Sequence, residues 1–557
     1  MRNYLLIIYV FSFLTLSAQE KNNLYGGFES NSQWYLNDSG LRDKFDEPTV
    51  SPENPLRSNN YLNLNYKFSN FTAGIQTESY QEKALLNYNP GYQKTNIGTY
   101  FLNYKNEKID LTAGYFYEQF GSGLLFRGWE DRNLGINNAL RGGRVIFKPT
   151  KFITLKSVYG QQRTGFNVAN STIYGSDFEI VLSDLMKFKT TELSLGLTYV
   201  GRDEKTDIIN QNFKSLTNAF GARLNFNQNS FYASSEFNFK ANDAVVQVIN
   251  QVNNNFIKPG SALLINTGFS KKGFGIDVTF RRLENMTFYS ERAAKGNAFN
   301  DKIMNFVPSL TKQHHYNLAN IYPYQAQPNV RLLDDSLVKA GEIGGQIDVF
   351  YNFAKNTLLG GKTGTKIAVN ISNWNALGGT FNITNPKDYK TDFIGFGKKY
   401  YSDYNFEIEK KWNKKWQSSI SYINQYYNEK LITETLGLVH ANIIGAESTY
   451  KFNSGKSIRF LGEHLWADSD KKNWAASTIE FNASSRISIY VSDMFNYGND
   501  ETFLRNHYYN IGGSFRKNAT RIALNYGRQR GGLVCVGGVC RFVPESTGLS
   551  LSLNTAF

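Results

Sequence analysis

The sequence predicts an all-β protein, a transmembrane antiparallel up-and-down β-barrel of about 24 strands (range about 18–26, an even number), with short periplasmic turns and long extracellular loops. Three observations carry this expectation. Apolar and polar residues alternate strictly over many segments, tight turns alternate with long polar connections, and the chain ends in an amphipathic strand closed by Phe557.

The N-terminus comes first. Arg2 supplies a charged start, residues 5–16 form a short apolar run, and Ser17-Ala18 precede Gln19. This is the pattern of a cleaved signal peptide over residues 1–18, although Leu16 stands where a small residue is preferred. The run is too short for a membrane-crossing helix. No later stretch is apolar enough for one, and mean hydropathy is −0.43. Residues 19–557 are expected to form one barrel, because no linker or composition shift divides them.

The strands come next. In Phe274-Gly275-Ile276-Asp277-Val278-Thr279-Phe280-Arg281 every even position is apolar. Leu193, Leu195, Leu197 and Tyr199 alternate with Ser194, Gly196 and Thr198 in the same way, as do Leu62, Leu64, Tyr66 and Phe68 with their neighbours. Alternation puts one set of side chains on each face of a strand. The segments run roughly 9–14 residues, the length a tilted strand needs to cross a bilayer. Residues 24–37 are the expected first strand. Aromatics make up 15 % of the chain, with 35 Tyr and 42 Phe. Pairs at segment ends, such as Tyr115-Phe116-Tyr117, Tyr400-Tyr401, Tyr426-Tyr427 and Tyr508-Tyr509, suit interfacial girdles.

Tight turns read at Ser69-Asn70, Asn106-Glu107-Lys108, Pro149-Thr150-Lys151, Lys271-Lys272-Gly273, Asn413-Lys414-Lys415, Asn453-Ser454-Gly455 and Arg516-Lys517-Asn518. Between them lie the longer stretches 38–58, 82–96, 120–143, 285–342 and 375–400. A soluble sandwich has no reason to keep this asymmetry. At the other end of the chain, Leu549, Leu551, Leu553 and Phe557 share one face. This arrangement resembles the C-terminal β-signal read by the barrel-assembly machinery, an expected partner during insertion.

Two loops are candidates for filling the lumen or projecting outside: 120–143, and about 287–342. The first carries a dense mixed-charge cluster with its flanks: Glu118, Arg127, Glu130, Asp131, Arg132, Arg141 and Arg144, with Arg163 as a further inward candidate. Opposed charges across a pore would select permeants. The plainer reading is that they pair with one another and pin an inward-folded loop. The loop also carries Leu124, Leu125, Phe126, Trp129, Leu134 and Ile136, which are costly to leave in water at about 1.5–3 kcal/mol for each large side chain. It is therefore expected to fold into the lumen.

Cys535 and Cys540 are expected to form a disulfide, as paired cysteines of an exported chain usually do. Gly537-Gly538 between them would make the turn. No metal site and no cofactor are expected. His314-His315 point to opposite faces on an extended chain, and no Gly-x-Ser-x-Gly nucleophile elbow occurs. The formal net charge of +14 reads as contact with outer-membrane lipid and lipopolysaccharide and a mildly cationic lumen. No nucleic-acid partner is expected.

Two segments resemble a known family. EQFGSGLLFRGWEDRNLGINNALRGGRV (118–145) and RQRGGLVCVGGVCRFVPESTG (528–548) are similar to signatures of a Bacteroidota outer-membrane β-barrel family of unassigned function. The resemblance runs the length of the mature chain. It implies an outer-membrane location and supplies no reaction. The Gly-x-Gly loop with following charges is also similar to the constriction loops of porins and export barrels.

Three functions stay open at this point. The first is porin-like passage of a hydrophilic solute, anionic ones included. The second is a non-conducting subunit of an outer-membrane assembly or secretion machine, in complex with a membrane-protein partner. The third is a barrel-embedded hydrolase, for which no catalytic residues stand out; the expectation is a non-enzyme.

Overall fold

The computed structural model describes residues 23–205, 214–248, 251–292, 302–384, 386–435, 437–452 and 455–557. The expected signal peptide, 1–18, lies outside the described residues. Among the described residues, twenty-four strands form one closed antiparallel wall. Each pairs with its neighbours in sequence. The first strand, Leu24–Leu36, closes the ring by pairing with both the second, Leu56–Phe68, and the last, Ser546–Ala556. The two-residue strand Asn167–Val168 pairs only with the end of Ile153–Thr164 and adds nothing to the wall. Full closure leaves no unpaired strand edge, which a membrane-spanning sheet requires.

Register shows why the alternation exists. Phe178, Leu197, Ala222, Phe237 and Leu263 lie side by side across five strands on the outward face. The adjacent inward row is Asp177, Thr198, Gly221, Asn238 and Ala262. Outward apolar side chains such as Leu111, Phe220, Ile371, Ile420 and Leu551 are exposed, as a lipid-facing belt demands. Leu549, Leu551 and Leu553 point outward with them. Phe557 completes the last strand through backbone hydrogen bonds in both directions with Gly26.

Eleven linkers lie on the side of the chain ends, and twelve on the other, here termed the turn side and the loop side. The turn side holds mostly two to five residues per linker, the exceptions being 182–190, with the short helix Leu182–Met186, and 354–364.

Two expectations are corrected here. Residues 375–400 are not a loop. Strands Thr365–Asn382 and Asp388–Lys411 continue past the wall as a long hairpin, with register shifts around Asn375, Leu377 and Gly379. Several aromatics assigned to the girdles are inside instead. Phe116, Tyr400, Tyr401, Tyr427 and Tyr508 are buried against residues that fill the lumen. Strand parity turns Phe116, Tyr401 and Tyr427 inward, Tyr400 is brought in at a register shift, and Tyr508 lies in the linker before the strand Asn510–Lys517; an apolar partner waits there for each.

The apolar core is therefore inside the barrel, at the loop-side end. One cluster joins Tyr316, Leu318, Ile321, Tyr322 and Tyr324 to wall residues Trp374, Tyr401, Ile423, Ile443 and Leu465. A second joins Phe120, Leu124, Leu125, Phe126 and Met304 to Val158, Ile173, Val200 and Leu283.

Candidate functional site: three loops folded into the lumen

Three loop-side segments, 117–139, the described residues of 285–341 (285–292 and 302–341), and 530–545, meet inside the barrel. The first folds as two small hairpins, Gln119–Phe120 with Phe126–Arg127 and Glu130–Asp131 with Ile136–Asn137. Gly121 and Gly123 adopt φ of 52° and 91°, a left-handed backbone that permits the tight turn between the first pair. The Asp131 carboxylate accepts from the backbone N–H of Asn133 (2.8 Å) and Leu134 (3.0 Å) and so shapes the second. Leu124, Leu125, Phe126, Leu134 and Ile136 are all buried.

Polar groups fasten this loop to widely separated parts of the wall. The Ser122 N–H donates to Glu236 at 2.8 Å, on strand Phe231–Val248. Arg132 reaches Glu29 on the first strand at 2.6 Å and stacks over Tyr61 at 4.2 Å. Glu130 accepts from Gln76 and Asn137, each at 3.1 Å, and pairs with Arg132. Arg127 faces rings rather than a carboxylate, 3.9 Å from the Phe306 centroid and 5.1 Å from Trp129. Glu118 bonds Lys156 at 2.9 Å and lies 3.5 Å from Arg144, which also bonds Asp110 at 2.7 Å.

Arg163 is fully buried in a two-pronged pair with Glu78 on strand Phe71–Gln81, at 2.8 and 2.7 Å. Its partner is thus a wall carboxylate and not a loop charge. Arg141 is the exception among the candidates. It stands opposite Tyr115 and Gln161, on the same face as Gly143, Val145 and Phe147. That face is the outward one, so Arg141 lies on the exposed exterior and does not line the lumen. One residue of parity separates it from Arg144.

The second loop lies against the first. Arg127 N–H donates to the Met304 carbonyl (2.8 Å), Phe306 N–H to the Gly123 carbonyl (2.9 Å), and Asn305 Nδ2 to the Leu124 carbonyl (3.1 Å). The loop then runs deep along the opposite wall. Lys312 bonds Glu407 at 2.9 Å, His314 Nε2 lies 2.8 Å from Asp403, and His315 lies 3.5 Å from Glu447. The two adjacent histidines thus serve separate wall carboxylates. Glu463 accepts from the backbone N–H of Leu318 (2.8 Å) and Asn317 (3.1 Å). Within the same loop, burial pushes the Lys339 amine down to about 7; it donates to Gln327 Oε1 at 2.7 Å and to the Leu431 carbonyl.

The third segment is the hairpin Gly532–Val536 and Val539–Val543, joined by the Cys535–Cys540 disulfide. Gly537 and Gly538 supply its turn with φ of 56° and 80°. The hairpin tip is held from below: Ser309 N–H donates to the Gly538 carbonyl at 2.7 Å. Arg541 donates to the Asn133 carbonyl at 2.7 Å, and Arg530 to the Asn320 carbonyl at 3.1 Å. All three loops are thereby tied to one another.

On the turn side of residues 118–122 the lumen opens into a polar cavity of about 490 Å³, lined by Lys156, Asp177, Arg223, Asn225, Ser234 and Asn266 among others. Between the three loops lies a smaller cavity of about 340 Å³, with Trp129, Phe306, Gln327, Arg331 and Phe542 on its walls. The wall residues that hold the loops, Glu29, Gln76, Glu236, Asp403, Glu447 and Glu463, do not stand out in the sequence. Each is a single polar residue at an inward strand position, indistinguishable there from one that faces water.

A closed antiparallel wall with an apolar outer belt and a polar, loop-filled interior defines a transmembrane β-barrel. The chain belongs to the family of unknown function DUF6029, whose model matches residues 1–557. No curated protein matches it. Among solved structures it is similar to the siderophore receptor PirA of Pseudomonas aeruginosa (8 % identity, 97 % of this chain and 81 % of that one, TM-score 0.39). It is also similar to the P pilus usher PapC translocation pore (8 % identity, 96 % and 99 %, TM-score 0.43). A third is OpdQ of P. aeruginosa (10 % identity, 85 % and 98 %, TM-score 0.33).

Proposed function

We propose that this protein is an outer-membrane channel for a hydrophilic solute, closed in the state described by three of its own loops. The observation that carries the reading is the manner of closure. The loops are held by the two apolar clusters and fastened to the wall through local polar contacts, at Glu236, Glu29, Asp403 and Glu463. None of these contacts belongs to the strand ladder, so a loop can leave its place without unpairing a strand. Beneath them the lumen is already a polar cavity. Permeation then requires the loops to shift, and the wall stays intact. The apolar belt supports the membrane location. The mixed charges of the cavity, Lys156 and Arg223 against Glu118, Asp177 and Glu179, suit polar solutes of either sign.

The test is conductance of the purified protein in planar bilayers, with and without residues 123–140. The intact protein should be closed or weakly conducting, and the deletion should open a larger, sustained pore while heat-modifiable migration shows an intact barrel. A deletion that assembles and conducts no more than the intact protein removes the channel reading. The lumen plug would then be better read as a docking platform for a membrane-protein partner.

A further inference from the structure

The net positive charge is not spread over the molecule. The eleven turn-side linkers carry eleven Lys or Arg against two acidic residues, Glu107 and Asp184. Five strands also end on lysine at this side: Lys105, Lys271, Lys411, Lys451 and Lys517. The twelve loop-side linkers hold twenty basic and twenty-two acidic residues. The excess is therefore a ring at the turn-side rim, where these lysines are exposed.

Exposed apolar side chains accompany the ring. Phe68 and Phe71 flank one turn, and Trp412 and Trp416 stack at 5.2 Å beside Lys414 and Lys415 in another. The two longest turn-side linkers add Leu185, Met186 and Phe188 next to Lys187 and Lys189, and Leu358 and Leu359 between Lys355 and Lys362. Leu358 is 100 % exposed. Apolar side chains flanked by lysine are what an interfacial segment presents, with the alkyl stems in the lipid and the ammonium groups at the headgroups.

We propose that this rim binds acidic phospholipid headgroups of the leaflet on the turn side. Charge complementarity requires an anionic occupant, since eleven basic residues of these linkers stand against two acidic ones. Shape selects among anionic occupants. The lysines lie on turns all around the circumference, from Lys105 and Lys108 near the chain start to Lys517 near its end. Lys105, Lys411 and Lys451 fall on the inward parity at the mouth; the remaining lysines meet a surrounding leaflet on every side, whereas a docked protein would cover one sector.

The full-length protein in vesicles is the system to test. Tryptophan fluorescence is quenched by brominated phosphatidylglycerol or by brominated phosphatidylcholine, and the ratio gives the relative affinity at the protein surface. Phosphatidylglycerol should be preferred about fivefold at low salt, and less at high salt, as expected for a screened headgroup contact. Replacing Lys355, Lys362, Lys414 and Lys415 together by Gln should bring the ratio toward one, and replacing them by Arg should leave it unchanged. Equal quenching by the two lipids in the natural protein overturns the proposal, and so does a preference that the Gln set leaves undiminished.

Discussion

Glu463→Ala tests whether the plug is held by the contacts described. Glu463 faces inward on strand Ser457–Ala467 and is 6 % exposed. Its carboxylate accepts two backbone N–H groups, from Asn317 and Leu318, at the start of the 3-10 turn Leu318–Asn320. Leu318 is itself fully buried, so an unpaired N–H there has no direct route to water. Hydrogen bonds to a charged group are worth about 1.5–3 kcal/mol each, and loss of the acceptor leaves the donors uncompensated. Removing both should weaken the docked state of residues 310–324 by about 3–5 kcal/mol. At about 1.4 kcal/mol per factor of ten, the open population rises by about two to three and a half orders of magnitude. Single-channel recording should show frequent long openings in place of rare ones, and protease should cut near residue 320 from the loop side. Glu463→Gln keeps one acceptor oxygen without the charge and should fall between. An alanine variant with unchanged openings and unchanged protease resistance would refute the idea that local wall contacts hold the plug.

Two further outcomes are expected. Thiol labelling of denatured, unreduced protein should find no free thiol, because Cys535 and Cys540 are bonded; reduction should sensitise 530–545 to protease and leave barrel migration unchanged. The Lys339 amine binds its proton less readily in the folded loop, at about 7, than at its ordinary 10.5. The undocked loop therefore holds more protons between these values, so docking strengthens as pH rises through that window and lies on its lower plateau below about 7. Protease cleavage in 325–340 should be slower at pH 9.5 than at pH 7. Lys339→Met should flatten the difference, and an equal pH dependence in the variant would exclude this lysine as its source.

The sequence by itself determined the wall. A strand's two-residue period separates an apolar row such as Phe178, Leu197, Ala222 and Phe237 from a polar row such as Asp177, Thr198 and Asn238, and that separation needs no tertiary information. The tight turns, the final strand and the apolar content of 120–143 were legible for the same local reason. Only the tertiary structure decided what stands opposite what. Glu29 and Arg132 are 103 positions apart, and Glu463 and Leu318 are 145 apart; their meeting depends on where the ring closes and how far each loop reaches across it. Parity near a strand end is equally non-local. Arg141 and Arg144 belong to one charged run in sequence, yet one is on the outward face and the other faces the lumen. Tyr400 and Tyr401 resemble a membrane girdle until a folded-in loop supplies Tyr324 as their apolar neighbour. The balance of charge between the two rims follows the same rule: lysine content was countable from the start, but its collection on one side required knowing which linkers share that side.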